Sequence, residues 1–435
     1  RYLNLNVGLH YTKGLGFYEQ FKNNANFAEY NLTPVVFGTD TISTTDLVRR
    51  QWLDNDFYGL TYNLNYYSKE NITVNVGGGY NIYKGLHYGN LLWSRFASQS
   101  NLGDHYYDAS ASKKDFNFYV KPSLRISKRW DAFAELQVRT VTYTGTGNDQ
   151  DQKNVDFSDK LIFINPKIGA SYTLNSKNKF FTYLGIANKE PNRNDYRNLA
   201  PAKKPNAENL KDIELGYTRR ERIYTLNITA YAMEYSDQLV LSGQVNDVYA
   251  PLKVNVDKSY RRGVEADAVV KLTENIKVGA NFAYSRNKVV EFEEKINTYD
   301  VDYTPLGIKT TKYKLTDISY SPSIVTGGVI EVEPIEQFYV SLYTKYVGKQ
   351  YLDNTASEDR KLNAYLVNDL RLAYKLNLPM VKECTFSVMF NNFMNTLYEN
   401  GGYTYAGIYG GTVIRENFYY PQAVRNIMFG INAKF

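Results

Sequence analysis

Few side chains in the sequence are arranged for covalent or metal chemistry. The three histidines, His10, His87 and His105, do not have the spacing of zinc ligands. The single Cys384 cannot form an internal disulfide. The motifs GxSxG, HExxH and CxxC and the phosphate-binding P-loop are all missing from the sequence. We therefore expect a protein that is not an enzyme and that uses no cofactor.

Four aspartates fall in one segment that we expect to be a loop. They are Asp149, Asp151, Asp156 and Asp159. Carboxylates at such intervals can bind Ca²⁺ through oxygen ligands, but the fixed spacing and the turn glycine of an EF-hand are missing. Asp149, Asp151 and Asp156 are therefore a calcium-site hypothesis that competes with a solvated acidic loop.

Aromatic side chains are concentrated in segments 86–112 and 399–420, which we expect to be surface loops. Rings on such loops can stack on the rings of sugars, siderophores or corrins. In the alternative interpretation, they pack against one another or form an aromatic girdle at a membrane surface. The predicted ligand-binding aromatic residues are Tyr88, Trp93, Tyr106, Tyr107, Tyr403 and Tyr405.

Segment 188–196 is rich in charge, with Lys189, Glu190, Arg193 and Asp195. It lies at the mouth of a pair of predicted strands. We include Arg193 among the predicted ligand-binding residues for that reason. The alternative is that these residues form a structural salt-bridge network on the inner face of the predicted strands.

Alternation of apolar and polar residues with a period of two is the dominant pattern of the chain. Leu3, Leu5, Val7 and Leu9 alternate with polar residues and glycine. No stretch approaches the 18 consecutive apolar residues of a transmembrane helix. The sequence therefore predicts an all-β protein. The same alternation recurs in segments 58–66, 116–126, 162–174, 224–232 and 264–270.

The connections between these runs alternate between short and long. The asymmetry is typical of transmembrane antiparallel β-barrels, which have tight periplasmic turns and long outer loops. Most runs reach the 9–11 residues that a tilted strand needs to cross a bilayer. We count about sixteen strands. The short turns are 68–71, 127–129, 175–178, 219–221, 273–275 and 333–336, and the longest connections include 13–53, 86–112, 236–257, 287–314 and 393–420.

The composition agrees with a barrel in an outer membrane. The chain of 435 residues contains 41 Tyr and 22 Phe, and its mean hydropathy is −0.47. Strands with one face in lipid and the other in water have such a half-polar, aromatic-rich composition. The net charge of +6 is small for the length, and basic and acidic residues are interspersed, so a nucleic-acid partner is not indicated.

The C-terminal run also fits a barrel. Phe429, Ile431 and Phe435 lie on one face of a predicted last strand. A closing strand that ends on an aromatic residue resembles the signal by which outer-membrane barrels are recognised for insertion. The alternative is a chance phenylalanine at the end of an ordinary edge strand.

Several motifs, in order, resemble the barrel half of TonB-dependent receptors, particularly those of Bacteroidetes-type bacteria. The resemblance covers essentially the whole chain, although Phe393-Met394 replaces the usual Leu-Phe pair of the last motif. The motifs are residues 9–22, the NPK segment 165–169 with 187–196, residues 208–217, residues 259–265 and residues 391–398.

The resemblance implies a 22-stranded barrel filled by an N-terminal plug domain. Since neither the plug nor a coupling box is visible and Arg1 leads directly into a strand, we expect about six strands and the plug to precede Arg1 in the natural protein. Residues 1–435 would then be one partial barrel domain. The implied function is uptake of a scarce ligand, such as an iron–siderophore, haem or cobalamin. The implied partners are the TonB energy-coupling complex, acting through the plug, the outer-membrane lipid and a surface lipoprotein.

Two other functions stay open at this point. A complete sixteen-stranded barrel would be a passive porin-like channel. A soluble, secreted all-β binding protein is the third hypothesis, and it would not need detergent for extraction.

Overall fold

The computed structural model describes residues 2–68, 71–199, 204–245, 251–378 and 381–434. Within these ranges the chain forms twenty-three strands, one short α-helix and one turn of 3-10 helix. The prediction of an all-β protein is therefore confirmed. Neither helix in the described ranges is long and apolar enough to cross a membrane.

The elements follow one another along the chain with few helical interruptions. The 3-10 turn is Phe27–Tyr30 and the helix α1 is Arg193–Leu199. The strands are β1 (Tyr2–Asn26), β2 (Val35–Phe37), β3 (Asp40–Ile42), β4 (Thr44–Tyr67), β5 (Ile72–Ser94), β6 (His105–Arg125), β7 (Trp130–Gly147), β8 (Phe157–Thr173), β9 (Asn178–Lys189), β10 (Glu208–Arg220), β11 (Tyr224–Val245), β12 (Pro251–Lys271), β13 (Ile276–Tyr299), β14 (Pro305–Asp317), β15 (Ile324–Ile335), β16 (Phe338–Val347), β17 (Gln350–Tyr351), β18 (Lys361–Leu362), β19 (Tyr365–Leu378), β20 (Val381–Asn391), β21 (Glu399–Tyr409), β22 (Thr412–Pro421) and β23 (Asn426–Lys434).

Two compact units divide the chain. Unit 1 contains Arg1–Arg125, Phe133–Lys167 and Ala187–Ala207. Unit 2 contains Ile126–Ala132, Ile168–Ile186 and Glu208–Phe435.

In unit 1, β1, β4, β5 and β6 pair antiparallel in that order. Successive side chains of a strand point to opposite faces, so the predicted alternation gives the sheet two different faces. The apolar face carries rows such as Leu9, Leu60, Tyr80 and Phe116, and the polar face carries rows such as His10, Gly59, Asn81 and Asp115.

Unit 2 has the same organisation. Strands β10 to β13 pair antiparallel in chain order, and β13 also pairs with β15. The series then continues through β16, β19, β20 and β23. Its apolar face carries rows such as Leu215, Ala230, Val264 and Tyr284, and its polar face carries rows such as Glu214, Tyr231, Gly263 and Ser285.

The strand count agrees with the sequence, but the strand lengths do not. Seven strands (β2, β3, β14, β17, β18, β21 and β22) lie within the long connections, and the other sixteen match the predicted number. The prediction of a loop over residues 13–53 is wrong for most of its length, because β1 continues to Asn26 and β4 begins at Thr44. Backbone pairing continues there although Lys13 and Glu19 interrupt the apolar alternation, and sequence periodicity reports only the alternation.

The predicted short turns join successive strands. Five of them lie entirely in the described part of the chain, at 127–129, 175–178, 219–221, 273–275 and 333–336. The turn at 68–71 includes residues 69 and 70, which lie outside the described ranges.

The C-terminal strand β23 pairs with β20. Phe429 is opposite Val388 and Ile431 is opposite Phe386, so the predicted common face of this strand is confirmed. Phe429 and Ile431 are 81% and 72% exposed. Phe435 lies outside the described residues, and the insertion-signal hypothesis stays a prediction.

Glycines on the polar face let aromatic rings lie flat against the sheet. A Cβ atom at Gly77 would lie 2.6 Å from the hydroxyl oxygen of Tyr119, which covers it. That hydroxyl accepts a hydrogen bond of 2.7 Å from the Asn63 amide. At Gly216 a Cβ atom would lie 1.9 Å from the Phe181 ring. The rings therefore cover the polar face of the sheet without projecting far from it.

Candidate functional site

A network of charged side chains crosses the polar face of unit 1. Glu190 accepts hydrogen bonds from both terminal nitrogens of Arg139 at 2.8 Å, and it also pairs with Lys113. Arg139 in turn pairs with Asp115. Burial alone would raise the pKa of Glu190, but the hydrogen bonds from Arg139 and Lys113 outweigh it and lower the pKa to about 2. The salt-bridge network expected for segment 188–196 is therefore confirmed for Glu190.

Helix α1 is fastened to this wall next to the network. The side-chain oxygen of Asn192 accepts a hydrogen bond of 3.1 Å from the backbone amide of Asp195. The Asp195 carboxylate accepts one of 2.8 Å from the backbone amide of Asn192. This reciprocal arrangement is a capping box. The Tyr196 ring stacks on Phe157 at 4.3 Å, and its hydroxyl donates a hydrogen bond of 2.6 Å to Asp159. These contacts fix the position of the first helical residue, Arg193.

The Arg193 guanidinium lies in a tyrosine-rich part of the polar face. It is close enough to Tyr83, Tyr107 and Tyr143 for its charge to act on all three hydroxyl groups. Burial lowers the pKa of Arg193. Among the residues that the structure describes, no carboxylate forms a salt bridge with it. A partly buried guanidinium with no carboxylate partner is suited to bind an anionic group.

His87 contributes an unused nitrogen to the same region. Its Nε2 atom is buried and has no hydrogen-bond partner within the described residues. The charges of Arg193 and Arg197 both act on its ring. A buried polar atom without a partner calls for an explanation, and contact with a bound ligand would supply one.

Two of the predicted ligand-binding tyrosines are buried in a small apolar cluster. Tyr106 and Tyr107 are 3% and 8% exposed and pack with Phe27, Tyr30 and Leu47. Tyr106 also accepts a hydrogen bond of 3.0 Å from the Gln51 amide. This is the mutual packing considered as the alternative in the sequence, while the Tyr107 ring still lies near Arg193. Their contact with a ligand stays a prediction.

Tyr88 and Trp93 lie near the end of β5. Tyr88 stacks on His105 at 4.3 Å and on Trp52 at 5.9 Å. Because Trp52 pairs with Phe17 in the same register as Leu60 with Leu9, Tyr88 belongs to the apolar face. Trp93 is 50% exposed. Tyr88 therefore lies on the face opposite to Arg193, and ligand contact by Trp93 stays a prediction.

Tyr403 and Tyr405 lie in β21 of unit 2. Tyr403 stacks on Phe418 at 4.8 Å, and the Tyr405 hydroxyl lies 2.8 Å from the Tyr409 hydroxyl. Tyr405 is 42% exposed. Their ligand contact also stays a prediction.

The calcium hypothesis receives a different explanation from the structure. The carboxylates of Asp149 and Asp151 converge on the Arg197 guanidinium. Asp156 accepts a hydrogen bond of 2.8 Å from the Gly147 amide instead. No group of three potential ligands that could hold a metal ion occurs in the described ranges. The acidic loop is thus arranged around an arginine, which also holds helix α1 in place.

Unit 2 has a separate recess on its polar face. It has a volume of about 730 Å³, in the size range of ligand sites. Its charged lining residues are Glu214, Glu265 and Arg261. Its polar wall can contact a solute, but the described residues leave no buried cation without a partner there.

A second charged network ties the long connections of unit 2 together. Arg360 is 5% exposed and donates a hydrogen bond of 2.7 Å to Glu294, while also pairing with Asp353. Glu294 accepts a further bond of 2.9 Å from Arg415. Sequence reasoning missed this network, because its members are separated by up to 121 positions.

Residues 1–393 match the family model described as TonB dependent receptor-like, beta-barrel. The chain belongs to the TonB-dependent receptor family. The fold predicted from the sequence, a transmembrane antiparallel β-barrel, is confirmed by this match. No curated protein sequence matches the chain.

Solved structures of TonB-dependent receptors share the fold. The chain resembles the ferric-catecholate import receptor Fiu from K12 E. coli, with 14% identity and a TM-score of 0.62 over 99% of the chain and 62% of the receptor. It resembles the siderophore receptor PiuA from Acinetobacter baumannii, with 12% identity and a TM-score of 0.65 over 90% of the chain and 57% of the receptor. It also resembles the copper transporter OprC, with 12% identity and a TM-score of 0.69 over 98% of the chain and 62% of the transporter. The chain thus spans about 60% of the length of these proteins.

Membership in the family indicates which environment each face of the sheet contacts. In an outer-membrane barrel, the apolar face contacts lipid and the polar face lines the interior. Arg193, His87 and the Glu190 network therefore belong to the inner wall of this TonB-dependent receptor. Tyr88 belongs to the outside wall.

Sequence reasoning named Arg193 but missed most of its surroundings. Tyr83, His87 and Tyr143 become its neighbours only when β5, β7 and α1 come together. An available signal was the position of Tyr83 and His87 on the polar parity of β5, opposite to Tyr80 and Leu86.

Proposed function

We propose that the chain is the barrel part of an importer that captures an anionic iron chelate of the siderophore type. The observation that carries this proposal is the partly buried Arg193 guanidinium, which forms no salt bridge with a carboxylate of the described residues and whose charge acts on the hydroxyl groups of three tyrosines. Ferric siderophores built from catecholate or carboxylate groups carry negative charge, and a guanidinium binds such oxygen pairs through two parallel hydrogen bonds. Among the proteins that share the fold, Fiu is a ferric-catecholate import receptor and PiuA is a siderophore receptor.

Energy and direction come from partners outside the chain. We propose that a plug domain blocks the interior and that the TonB complex of the inner membrane acts on this plug. A surface lipoprotein and the outer-membrane lipid complete the proposed set of partners. The Bacteroidetes-type origin rests on the sequence motifs alone and stays a prediction.

The two other hypotheses from the sequence are less well supported. A passive porin-like channel does not account for the match to the TonB-dependent receptor family over residues 1–393. A soluble all-β protein does not account for a sheet whose apolar face leaves Leu3, Leu5 and Leu9 at least 64% exposed.

The proposal can be tested by growth of a deletion strain under iron limitation. The strain is supplied with one ferric catecholate or carboxylate siderophore at a time, and wild type, Arg193→Gln or Arg222→Gln is expressed in it. A hydrogen bond to a charged group contributes about 2 kcal/mol, so Arg193→Gln should weaken binding roughly thirtyfold. Arg222 lies exposed in a short turn and is the matched control.

Uptake of labelled siderophore gives the decisive comparison. Wild type and Arg222→Gln should take it up equally, and Arg193→Gln should require a much higher concentration. Equal uptake by all three proteins would show that Arg193 does not bind the ligand. If growth of the deletion strain depends on no iron source but is impaired under cobalamin limitation, cobalamin would replace the iron chelate as the proposed ligand.

A further inference from the structure

His87 lies on the polar face of unit 1, beyond the apolar band of the strands. We give this name to the rows of lipid-facing apolar residues, the last of which pairs Tyr11 of β1 with Tyr58 of β4 and Tyr58 with Ile82 of β5. His87 follows Ile82 in β5, roughly 16 Å further along the strand at 3.3 Å per residue. Its ring therefore lies on the inner wall at the level of the long connections, outside the membrane.

The residues beside His87 in the sheet have no polar side chain. Leu53 of β4 and Ala109 of β6 lie opposite it, and its neighbours on the same face of β5 are Gly85 and Gly89. The Nε2 atom of His87 is buried and has no hydrogen-bond partner within the described residues. Because buried polar atoms are normally paired, this nitrogen is available for a group that comes from outside the wall.

Two guanidinium groups of helix α1 act on the charge state of His87. Burial and the charges of Arg193 and Arg197 lower the pKa of His87 from 6.5 to about 4, so the imidazole is neutral at neutral pH. No carboxylate of the described residues contributes to this shift. Asp149 and Asp151 both pair with Arg197. Arg193 is therefore the cation beside His87 whose charge no described carboxylate compensates through a salt bridge.

The other titratable groups of this region are tyrosine hydroxyls from three strands. They are Tyr83 of β5, Tyr107 of β6 and Tyr143 of β7, and the charge of Arg193 acts on each of them. Burial raises the pKa of all three tyrosines, so their hydroxyls stay neutral at acidic and neutral pH. Of the residues named here, His87 is thus the one that can gain a charge in this pH range.

We propose that His87 takes up a proton from the solvent when an anionic ligand binds to Arg193, and that the ligand is then held between a guanidinium and an imidazolium. The ligand anion offsets the charge of Arg193 and supplies an acceptor for Nε2 of His87, and both effects favour the protonated ring. A neutral solute offsets no charge, so the two residues together select for anions. This inference rests on the proposed function, because it adds a second contact to the same anion site.

The sign of the pH dependence follows from the proton that is taken up. If binding restores the pKa of His87 to the ordinary value of 6.5, the complex holds one proton more than the free protein below that pH, and affinity rises as the pH falls. The gain is about tenfold between pH 7.5 and pH 5.5. It levels off near pH 4, because the ring is protonated in the free protein below this value.

Binding of iron chelates to the purified full-length protein in detergent tests this dependence. The probes are ferric citrate and a ferric tris-catecholate, which are anionic, and a neutral ferric trihydroxamate, each at pH 5.5 and pH 7.5. Because a chelate titrates in the same way with every variant, the affinity of a variant is compared with that of wild type at the same pH. His87→Gln keeps a hydrogen-bonding side chain but takes up no proton. It should bind an anionic chelate within about twofold of wild type at pH 7.5 and about tenfold more weakly at pH 5.5.

His10 provides the matched control. It lies on the same polar face, but its Nε2 atom already has a partner, the side-chain oxygen of Asn81 at 2.8 Å. His10→Gln should therefore follow wild type at both pH values. Hydrogen exchange at the C2 carbon of the imidazole, measured by mass spectrometry of peptides, reports the titration of His87 directly. Its midpoint should move toward 6.5 when an anionic chelate is added and should stay unchanged with the neutral chelate.

The outcomes separate this inference from the proposed function. A defect of His87→Gln that appears at pH 5.5 and not at pH 7.5, together with a ligand-dependent titration of His87, supports proton uptake. A defect of the same size at both pH values, or a His87 titration that the chelates leave unchanged, would overturn the inference and leave anion binding by Arg193 intact. The same gain at low pH for the neutral chelate would overturn the selection for charge. If no iron chelate binds at either pH, the proposed function and this inference both fail.

Discussion

Substitution of Glu190 by glutamine should destabilise the barrel by about 3 kcal/mol at neutral pH. The Glu190 side chain is only 10% exposed and compensates both Lys113 and Arg139. Loss of one partner from a buried ion pair costs roughly 3–5 kcal/mol, because an uncompensated charge stays behind. The pKa of Glu190, lowered from 4.5 to about 2, leads to a similar value at 1.36 kcal/mol for each pH unit.

The pH dependence has a defined sign. A carboxylate whose pKa is lower in the folded protein stabilises it above the unfolded value, and this stabilisation is lost as pH falls through the folded value. The difference between wild type and Glu190→Gln should therefore be complete above about pH 5 and should shrink between pH 4.5 and about 2. Other carboxylates titrate in the same range, so the difference between the two proteins is the quantity to follow.

Unfolding by guanidinium chloride in detergent, monitored by tryptophan fluorescence at several pH values, measures this difference. Glu336→Gln is the matched control, since Glu336 is exposed in a short turn, and its effect should stay within about 0.5 kcal/mol. An effect of Glu190→Gln that is the same at pH 3 and pH 7 would refute the electrostatic explanation. An effect below 1 kcal/mol at pH 7 would show that the network adds little to stability.

Two further substitutions test the contacts that position the inner wall and the long connections. Tyr196→Phe removes the hydroxyl that donates to the buried Asp159 and should cost about 1–3 kcal/mol in the same unfolding assay, whereas an unchanged midpoint would contradict this contact. Arg360→Met leaves Glu294 with one guanidinium partner fewer and should increase proteolytic cleavage within residues 353–362, and the absence of any increase would show that other contacts hold this connection.

Sequence alternation was sufficient for the fold because lipid imposes one requirement on every strand. Each membrane-facing position must be apolar and its neighbour must face water, so Leu3 to Leu9 and Ile427 to Ile431 identify the faces without any knowledge of their partners. The alternation of short and long connections then gave the approximate strand number. The ends of the strands could not be found in this way, because polar residues such as Lys13 and Glu19 interrupt the alternation before the backbone pairing ends.

The candidate site was less predictable for a different reason. Arg193 was predicted as a binding residue because it follows a pair of predicted strands. Whether its guanidinium is available to bind an anion depends on which carboxylates approach it. Asp149 and Asp151 are used by Arg197, and Glu190 by Arg139 and Lys113. Such a distribution of partners depends on contacts between positions up to 77 residues apart, and no local pattern encodes it.

The continuation of β1 and β4 beyond the lipid has a consequence for accessibility at the cell surface. From Lys13 to Asn26 the strand adds roughly 45 Å of paired backbone at 3.3 Å per residue. A hairpin of that length, held together by the backbone hydrogen bonds of two paired strands, is an extended and ordered projection rather than a flexible loop. It carries the tip of the hairpin well beyond the apolar band, where large molecules outside the membrane can reach it.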